Sequence, residues 1–295
     1  MVCPDENQIL PCVCSKGIEE NSVTLECPPD TNEEQLQQVF EADFPSKNLY
    51  QFKMEGNSYV GVLRSGVFNN VSFQDISITL GGMYGVESGA LVSSKDTLTK
   101  MQLYLNNIQS FPFEDLKTFT KLEFFSIGYN PTNLIPLDTF KGNPVLQTIH
   151  LPNTVSEFDL SMFHDLPQLT IINLAENSLS YIPSGFMTFG STHTEKIYLN
   201  HNNIEEVSPG AFEAVEGLVI YLYNNKLTVL PEVTWRPMVE EGVHLILHNN
   251  PLLCGCDIAW LVRNTSLIEH ISYGATCSDG QNIHDLNPED YDLCY

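Results

Sequence analysis

Apolar and polar positions follow one another along this chain in a fixed order, which is cleanest in residues 169–183. There Leu169, Ile172, Leu174 and Leu179 occupy the first, fourth, sixth and eleventh places, and Asn177 the ninth. Ile172 and Leu174 are two residues apart, so in an extended segment both point to one side, into a core, while Ile171, Asn173 and Ala175 point to the other. The pattern therefore predicts a short strand followed by a turn at Asn177. A short amide suits that turn, because its side chain satisfies backbone groups that an irregular segment leaves unpaired inside a stack.

The same order fits nine registers, which begin at Leu49, Phe73, Leu98, Leu122, Leu146, Leu169, Thr194, Gly217 and Gly242, at intervals of 23 to 25 residues. Their ninth places carry Asn57, Gly81, Asn106, Asn130, Thr154, Asn177, Asn202, Asn225 and Asn250. A near-constant period with such a row is the signature of leucine-rich repeats. It predicts an α/β fold, a leucine-rich repeat solenoid (horseshoe) with a parallel concave β-sheet, right-handed because strand–crossover–strand connections take that hand. On the return limb Phe68, Phe119, Phe140, Phe163, Phe186, Phe212 and Trp235 are expected to stack as an aromatic spine. The second repeat departs most, with Gly81-Gly82 where Asn and its neighbour belong. A phosphate-binding loop would need a helix with fitting glycine spacing after it, and none follows, so a local change of turn is expected.

The eight cysteines lie only at the two ends: Cys3, Cys12, Cys14 and Cys27, then Cys254, Cys256, Cys277 and Cys294. An even count confined to the ends predicts disulfides made in an oxidising compartment, since neither group has the paired C-x-x-C knuckles of a zinc ribbon. A solenoid exposes the core of its last coil at each end, and covalently framed caps would cover it. The expected organisation is an N-terminal cysteine cap and lead-in helix at 1–48, nine repeats at 49–252 and a C-terminal cysteine cap at 253–295. In the first cap, Val23-Thr24-Leu25 alternates as a strand would. After it, Thr31 and Glu34 have capping-box spacing for a short helix burying Leu36, Val39 and Phe40, with Pro45 as its stop.

Charge narrows the partners. With 37 acidic against 13 basic residues the formal net charge is -24, which disfavours nucleic acid and anionic membranes. No run approaches the ~20 apolar residues of a membrane span. Disulfides require export, so a signal peptide is expected to have been removed, and the sequons at Asn70 and Asn264 are candidate N-glycosylation sites in a secreted, extracellular glycoprotein.

The strand places that point away from the core define one face. They bring together Tyr104, Phe124, Tyr129, His150, Tyr198, His201, Tyr221, Tyr223, His244 and His248, with Glu55, Asp75 and Glu176 against Lys53, Lys100 and Lys196. An aromatic face with balanced charge, in a chain this acidic, predicts a partner-binding surface, the alternative being rings that only pack sideways on their neighbours. Tyr198, Tyr221 and Tyr223 are its expected centre. His244 and His248 lie about 13 Å apart by strand rise, too far to share a metal ion. No signature of a nucleophile elbow, a zinc protease or a dinucleotide site occurs, so the expectation is a non-catalytic chain without metal or cofactor.

Residues 250–261, Asn-Pro-Leu-Leu-Cys-Gly-Cys-Asp-Ile-Ala-Trp-Leu, resemble the C-terminal cysteine cap of extracellular leucine-rich repeat proteins, and residues 3–27 resemble their N-terminal cap. Spacing alone leaves the connectivity open. The resemblance implies Cys3 with Cys14, Cys12 with Cys27, Cys254 with Cys277 and Cys256 with Cys294. The caps together with Phe73-Gln74-Asp75-Ile76, residues 86–91 and residues 162–169 are similar to secreted crustacean leucine-rich repeat proteins related to the non-catalytic subunit of decapod shrimp luciferase. That likeness implies a non-catalytic accessory subunit in a luciferin monooxygenase complex, with a small catalytic luciferase subunit as protein partner. The other reading is an extracellular innate-immune or matrix recognition module that binds protein or glycan ligands.

Overall fold

The structure, a computed structural model, describes residues 2–17, 22–132, 134–136, 138–154, 157–158, 160–163, 166–187 and 193–294. The chain divides into two compact units, residues 1–155 and 156–295.

Each register carries a strand. In the first unit these are Asn48–Glu55, Ser72–Thr79, Lys100–Gln102, Phe124–Ser126 and Thr148–His150, and in the second Ile171–Asn173, Lys196–Tyr198, Val219–Tyr221 and His244–Ile246. Within each unit neighbouring strands pair in parallel and in repeat register: Ile76 faces Met101, Met101 faces Phe125, Ile197 faces Ile220 and Ile220 faces Leu245. In the three-residue strands the central residue is buried and its two neighbours more exposed, as the spacing predicts, except that in Phe124–Ser126 the serine is buried as well. The caps extend the sheets. Val23–Cys27 pairs in parallel with Asn48–Glu55 and antiparallel with Val13–Lys16, while Ile271 of the C-terminal cap bridges Leu245 in parallel. Disulfides join Cys3 to Cys14, Cys12 to Cys27, Cys254 to Cys277 and Cys256 to Cys294.

The Asn row works as a hydrogen-bond ladder. The Asn130 amide donates to the carbonyls of Ile127 in its own repeat and Leu103 in the preceding one, and its oxygen accepts from the Ile108 backbone. Asn225 repeats this with Leu222, Leu199 and Ile204, and Asn250 with Leu247, Leu222 and Leu227. One side chain thus joins two coils at three points, in an interior where unpaired backbone groups are costly. Gly81 breaks the row for a steric reason: a Cβ there would lie 2.3 Å from the Asn57 carbonyl oxygen. Its own N–H instead donates to the Asn106 side chain, so the ladder continues through the backbone.

Two expectations need correction. The helix Glu33–Glu41 buries Leu36, Val39 and Phe40, but its capping box is formed by Asn32 and Gln35, not Thr31 and Glu34. Asn32 is the residue with extended backbone, which aims its side chain at the Gln35 N–H, whereas Thr31 is fully buried. The helix also ends at Glu41, before Pro45 is reached. Among the described residues the aromatic spine runs as a line in the second unit, where Phe163, Phe186 and Phe212 follow one another at 6.5 and 5.9 Å. In the first unit Phe68 joins a cluster with Phe40, Phe52 and Phe73, all within 6.1 Å of one another, because the lead-in helix brings Phe40 to it. Trp235 is buried on the helix Glu232–Glu240.

Candidate functional site on the outward sheet face

Since the fourth and sixth places of each repeat fill the core, the third, fifth and seventh are left on the opposite face of the sheet. The two units furnish that face differently.

In the first unit it is polar, with one apolar edge. Asp75 is only 6% exposed, and its carboxylate accepts from the Gln51 and Gln102 side-chain amides at 3.0 and 3.3 Å. Burial raises its pKa, against the lowering effects of Gln102, Lys100 and Gln51. The Lys100 ammonium lies 5.2 Å from the centre of the Phe124 ring, within cation–π range. Lys53 sits between Glu26 at 3.0 Å and Glu55 at 3.4 Å, and the Glu26 hydrogen bond raises its pKa most. His150 is half-buried, with Nδ1 3.1 Å from the Ser126 hydroxyl, and burial lowers its pKa. Tyr104 and Tyr129 are half-buried beside this group.

In the second unit the face is aromatic and imidazole-rich. Tyr198 and Tyr221 stack with ring centres 4.4 Å apart, and Tyr223 stacks on His248 at the same distance, with His201 meeting Tyr223 edge-on at 5.4 Å. Burial, then the neighbouring Tyr221 and Tyr223, raises the Tyr198 pKa. His201 Nε2 lies 3.0 Å from the Asn224 amide, and Asn224 accepts in turn from Asn249. The tyrosines are therefore partly covered by one another, so sideways packing is real, while their remaining area is presented in a rigid row. A patch held in one geometry before association loses less entropy on binding than a set of free rings.

The sequence-chosen residues fall into two groups: Tyr104, Phe124, Tyr129 and His150 in the first unit, and Tyr198, Tyr221, Tyr223 and His244 in the second. The sequence reading missed the part supplied by the C-terminal cap. His270 stands 4.6 Å from His244, and Tyr273, 80% exposed, stacks on His284 at 4.3 Å. Burial and the nearby His270 both lower the His244 pKa. Ile271 aligned with Leu245 makes residues 270–272 a further rung, but the cap lacks the ninth-place Asn by which rungs are found in the sequence. Among the described residues no group of three or more His, Cys, Asp or Glu is placed to hold a metal ion. Nor is any helix among them long and apolar enough to cross a membrane. Of the two sequons, Asn70 is exposed, while Asn264 caps the helix Thr265–Ile268 and accepts from the Ser266 hydroxyl at 2.8 Å.

The family model for the BspA type leucine rich repeat region matches residues 106–235 in six copies. The chain is 28% identical to the Oplophorus-luciferin 2-monooxygenase non-catalytic subunit of Oplophorus gracilirostris, over 98% of this chain and 87% of that one. It is 30% identical to Toll-like receptor 9 of Mus musculus over 44% of this chain, which is 13% of the receptor. Among solved structures, a chain of the octameric complex of Latrophilin 3, Unc5D and FLRT2 superposes with a TM-score of 0.67 at 20% identity, covering 84% of this chain and 78% of that one. The chain is a leucine-rich repeat protein with disulfide-bonded caps, and along nearly its whole length it resembles the non-catalytic subunit of Oplophorus luciferase.

Proposed function

We propose that this chain is a secreted, non-catalytic binding protein that acts as the accessory subunit of a luciferase complex, holding a small catalytic partner on the outward face of its sheet. The observation that carries the reading is the match to the Oplophorus non-catalytic subunit across 98% of this chain and 87% of that one, a span that takes in both caps. Supporting it, the outward face offers a preformed tyrosine row, and aromatic side chains supply large contact area at low rotamer cost. In this reading residues 1–48 and 253–295 are caps, 49–252 are the binding repeats, and Asn70 and Asn264 carry glycans.

Purification from the native secretion tests it. A small protein partner that elutes with the chain in fixed stoichiometry supports the accessory role, whereas retention on carbohydrate or microbial surfaces without such a partner favours a recognition module. Tyr221→Ala then locates the site. It is expected to weaken partner binding by roughly 2 kcal/mol, read by calorimetry, while the loss of its stack on Tyr198 costs the fold about 1 kcal/mol. Unchanged partner affinity would move the site off the tyrosine row.

A further inference from the structure

The eighth place of every repeat adopts a left-handed backbone: φ is 71° at Gly56, 58° at Leu80, 56° at Leu105, 55° at Tyr129, 44° at Asn153, 58° at Glu176, 56° at His201, 55° at Asn224 and 56° at Asn249. The fold demands this conformation, because the chain must turn there to present the ninth-place side chain to the ladder. Only glycine adopts it freely, and asparagine tolerates it better than other residues. Gly56, Asn153, Asn224 and Asn249 follow that rule. Leu80, Leu105, Tyr129, Glu176 and His201 break it, and the first three do so on successive rungs with large side chains that gain nothing from the backbone they sit on.

Burial does not account for the two leucines. Leu80 is 49% exposed and Leu105 39% exposed, while the core of the same repeats is filled by Ile76, Ile78, Met101 and Leu103. The row is continuous in the backbone: the Leu80 N–H donates to the Tyr104 carbonyl, the Gly81 N–H to Leu105, the Leu105 N–H to Gly128 and the Tyr129 N–H to Pro152. Successive rungs are about 4.8 Å apart, so Leu80, Leu105 and Tyr129 form an apolar line about 10 Å long, widened onto the sheet face by Tyr104. At the seventh, eighth and ninth places of the first five repeats the one charged residue is Glu55.

We propose that this edge row is a docking surface for an amphipathic helix of a partner protein, apolar toward the row and basic on its other side. A helix places side chains i, i+3 or i+4, and i+7 along one face over about 10 Å, which matches three rungs. The net charge of -24 selects a basic occupant and works against a second copy of this chain. The inference rests on the reading that the chain binds a protein, but it uses a different surface from the tyrosine row. Leucine at strained, exposed positions then serves contact with a partner, as strained residues at binding sites do.

The test is a paired substitution, Leu80→Asn with Leu105→Asn, which suits the left-handed backbone better while removing the apolar surface. The probe is a synthetic Leu/Lys peptide with leucines at i, i+3, i+4 and i+7, compared with a scrambled peptide of the same composition and charge. The expected result is that the patterned peptide binds the unaltered chain at least tenfold more tightly than the substituted chain, and tenfold more tightly than the scrambled peptide. The substituted chain should melt no lower than the original. Tyr221→Ala should leave this peptide's affinity unchanged, which separates failure of this row from failure of the tyrosine face. Equal affinity for both peptides or for both chains overturns the proposal. So does sedimentation showing that the unaltered chain dimerises and the substituted one does not, because the occupant is then a second copy. Should the double Asn chain fold poorly, Leu80→Gly with Leu105→Gly reads the same surface.

Discussion

The two units are built from the same repeat and differ in what they place outside it. In the first, the outward face holds a buried carboxylate, a lysine over an aromatic ring and ion pairs, with leucines along its turn edge. In the second, stacked tyrosines and imidazoles occupy the face, and the turn edge carries Glu176, His201, Asn224 and Asn249. The interior of both is the same ladder of Asn amides and buried aliphatic rungs. The interior is thus common property of the repeat, while the chemistry of the outward surface is local to each unit. In a repeat stack this division is natural, because each coil answers structurally only to its neighbours.

The largest expected effect tests the caps that close the two units. Opening the Cys256–Cys294 bridge by Cys→Ser at both positions releases a span of 38 residues, against 11 for Cys3–Cys14. Loop-closure entropy then predicts a loss of about 4 kcal/mol at the C-terminal cap and about 3 kcal/mol at the N-terminal one, measured by urea denaturation. Equal urea midpoints for the unaltered chain and both variants would mean that the caps are not what holds the ends.

Next comes the shared interior. Asn130→Ala in the first unit and Asn225→Ala in the second each remove the amide bonds that tie one coil to its predecessor and leave a backbone N–H, of Ile108 or Ile204, without its side-chain acceptor, although Leu103, Leu199 and Leu222 each keep a second Asn donor. Each should cost roughly 3 kcal/mol, and by nearly the same amount if the ladder is one device. A loss confined to one unit would end the claim of a common interior.

The smallest effects distinguish the faces by the sign of their pH dependence. Asp75 has a raised pKa, so its folded form holds the proton more tightly and loses stability as pH rises from the ordinary carboxylate range through the folded pKa. Asp75→Asn should therefore stabilise the chain at neutral pH by roughly 1 kcal/mol or less, a gain that closes below about pH 4. His150 and His244 have lowered pKa values, so their contribution is complete above about pH 6.5 and is lost as pH falls from there through the folded values. Thermal melts across pH 4 to 8 for the unaltered chain and the Asp75→Asn variant check both signs. A variant that is less stable at pH 7 would show that the charge is worth more to its neighbours than its burial costs.

Much of this architecture is legible in the chain because the repeat writes its core at fixed intervals. Leu169, Ile172 and Leu174 suffice to locate a strand and its inward side, and Asn177 to locate its turn. The candidate face was readable for the same reason, since the outward places follow from the inward ones. What lay outside the period was harder to see. His270, Tyr273 and His284 belong to a cap without the ninth-place Asn, so no register leads to them. The choice of Asn32 over Thr31 as helix cap turned on which side chain meets the Gln35 N–H and which is buried, and two adjacent, equally suitable residues do not betray that.

The sequence by itself determined the repeat, its inward rows and its cysteine-framed ends, because hydrophobic burial at a fixed period has one economical solution, the stacked coil. The tertiary structure alone decided how outward side chains meet across rungs. Tyr198 on Tyr221, Tyr223 on His248 and the exposure of Leu80 and Leu105 depend on distances between residues some two dozen positions apart. It also decided why Gly81 interrupts the Asn row, since the obstacle there is a backbone carbonyl of the preceding coil. Such contacts are set by the spacing between coils and by each side chain's rotamer, and neither quantity is carried by the order of residues along a single turn.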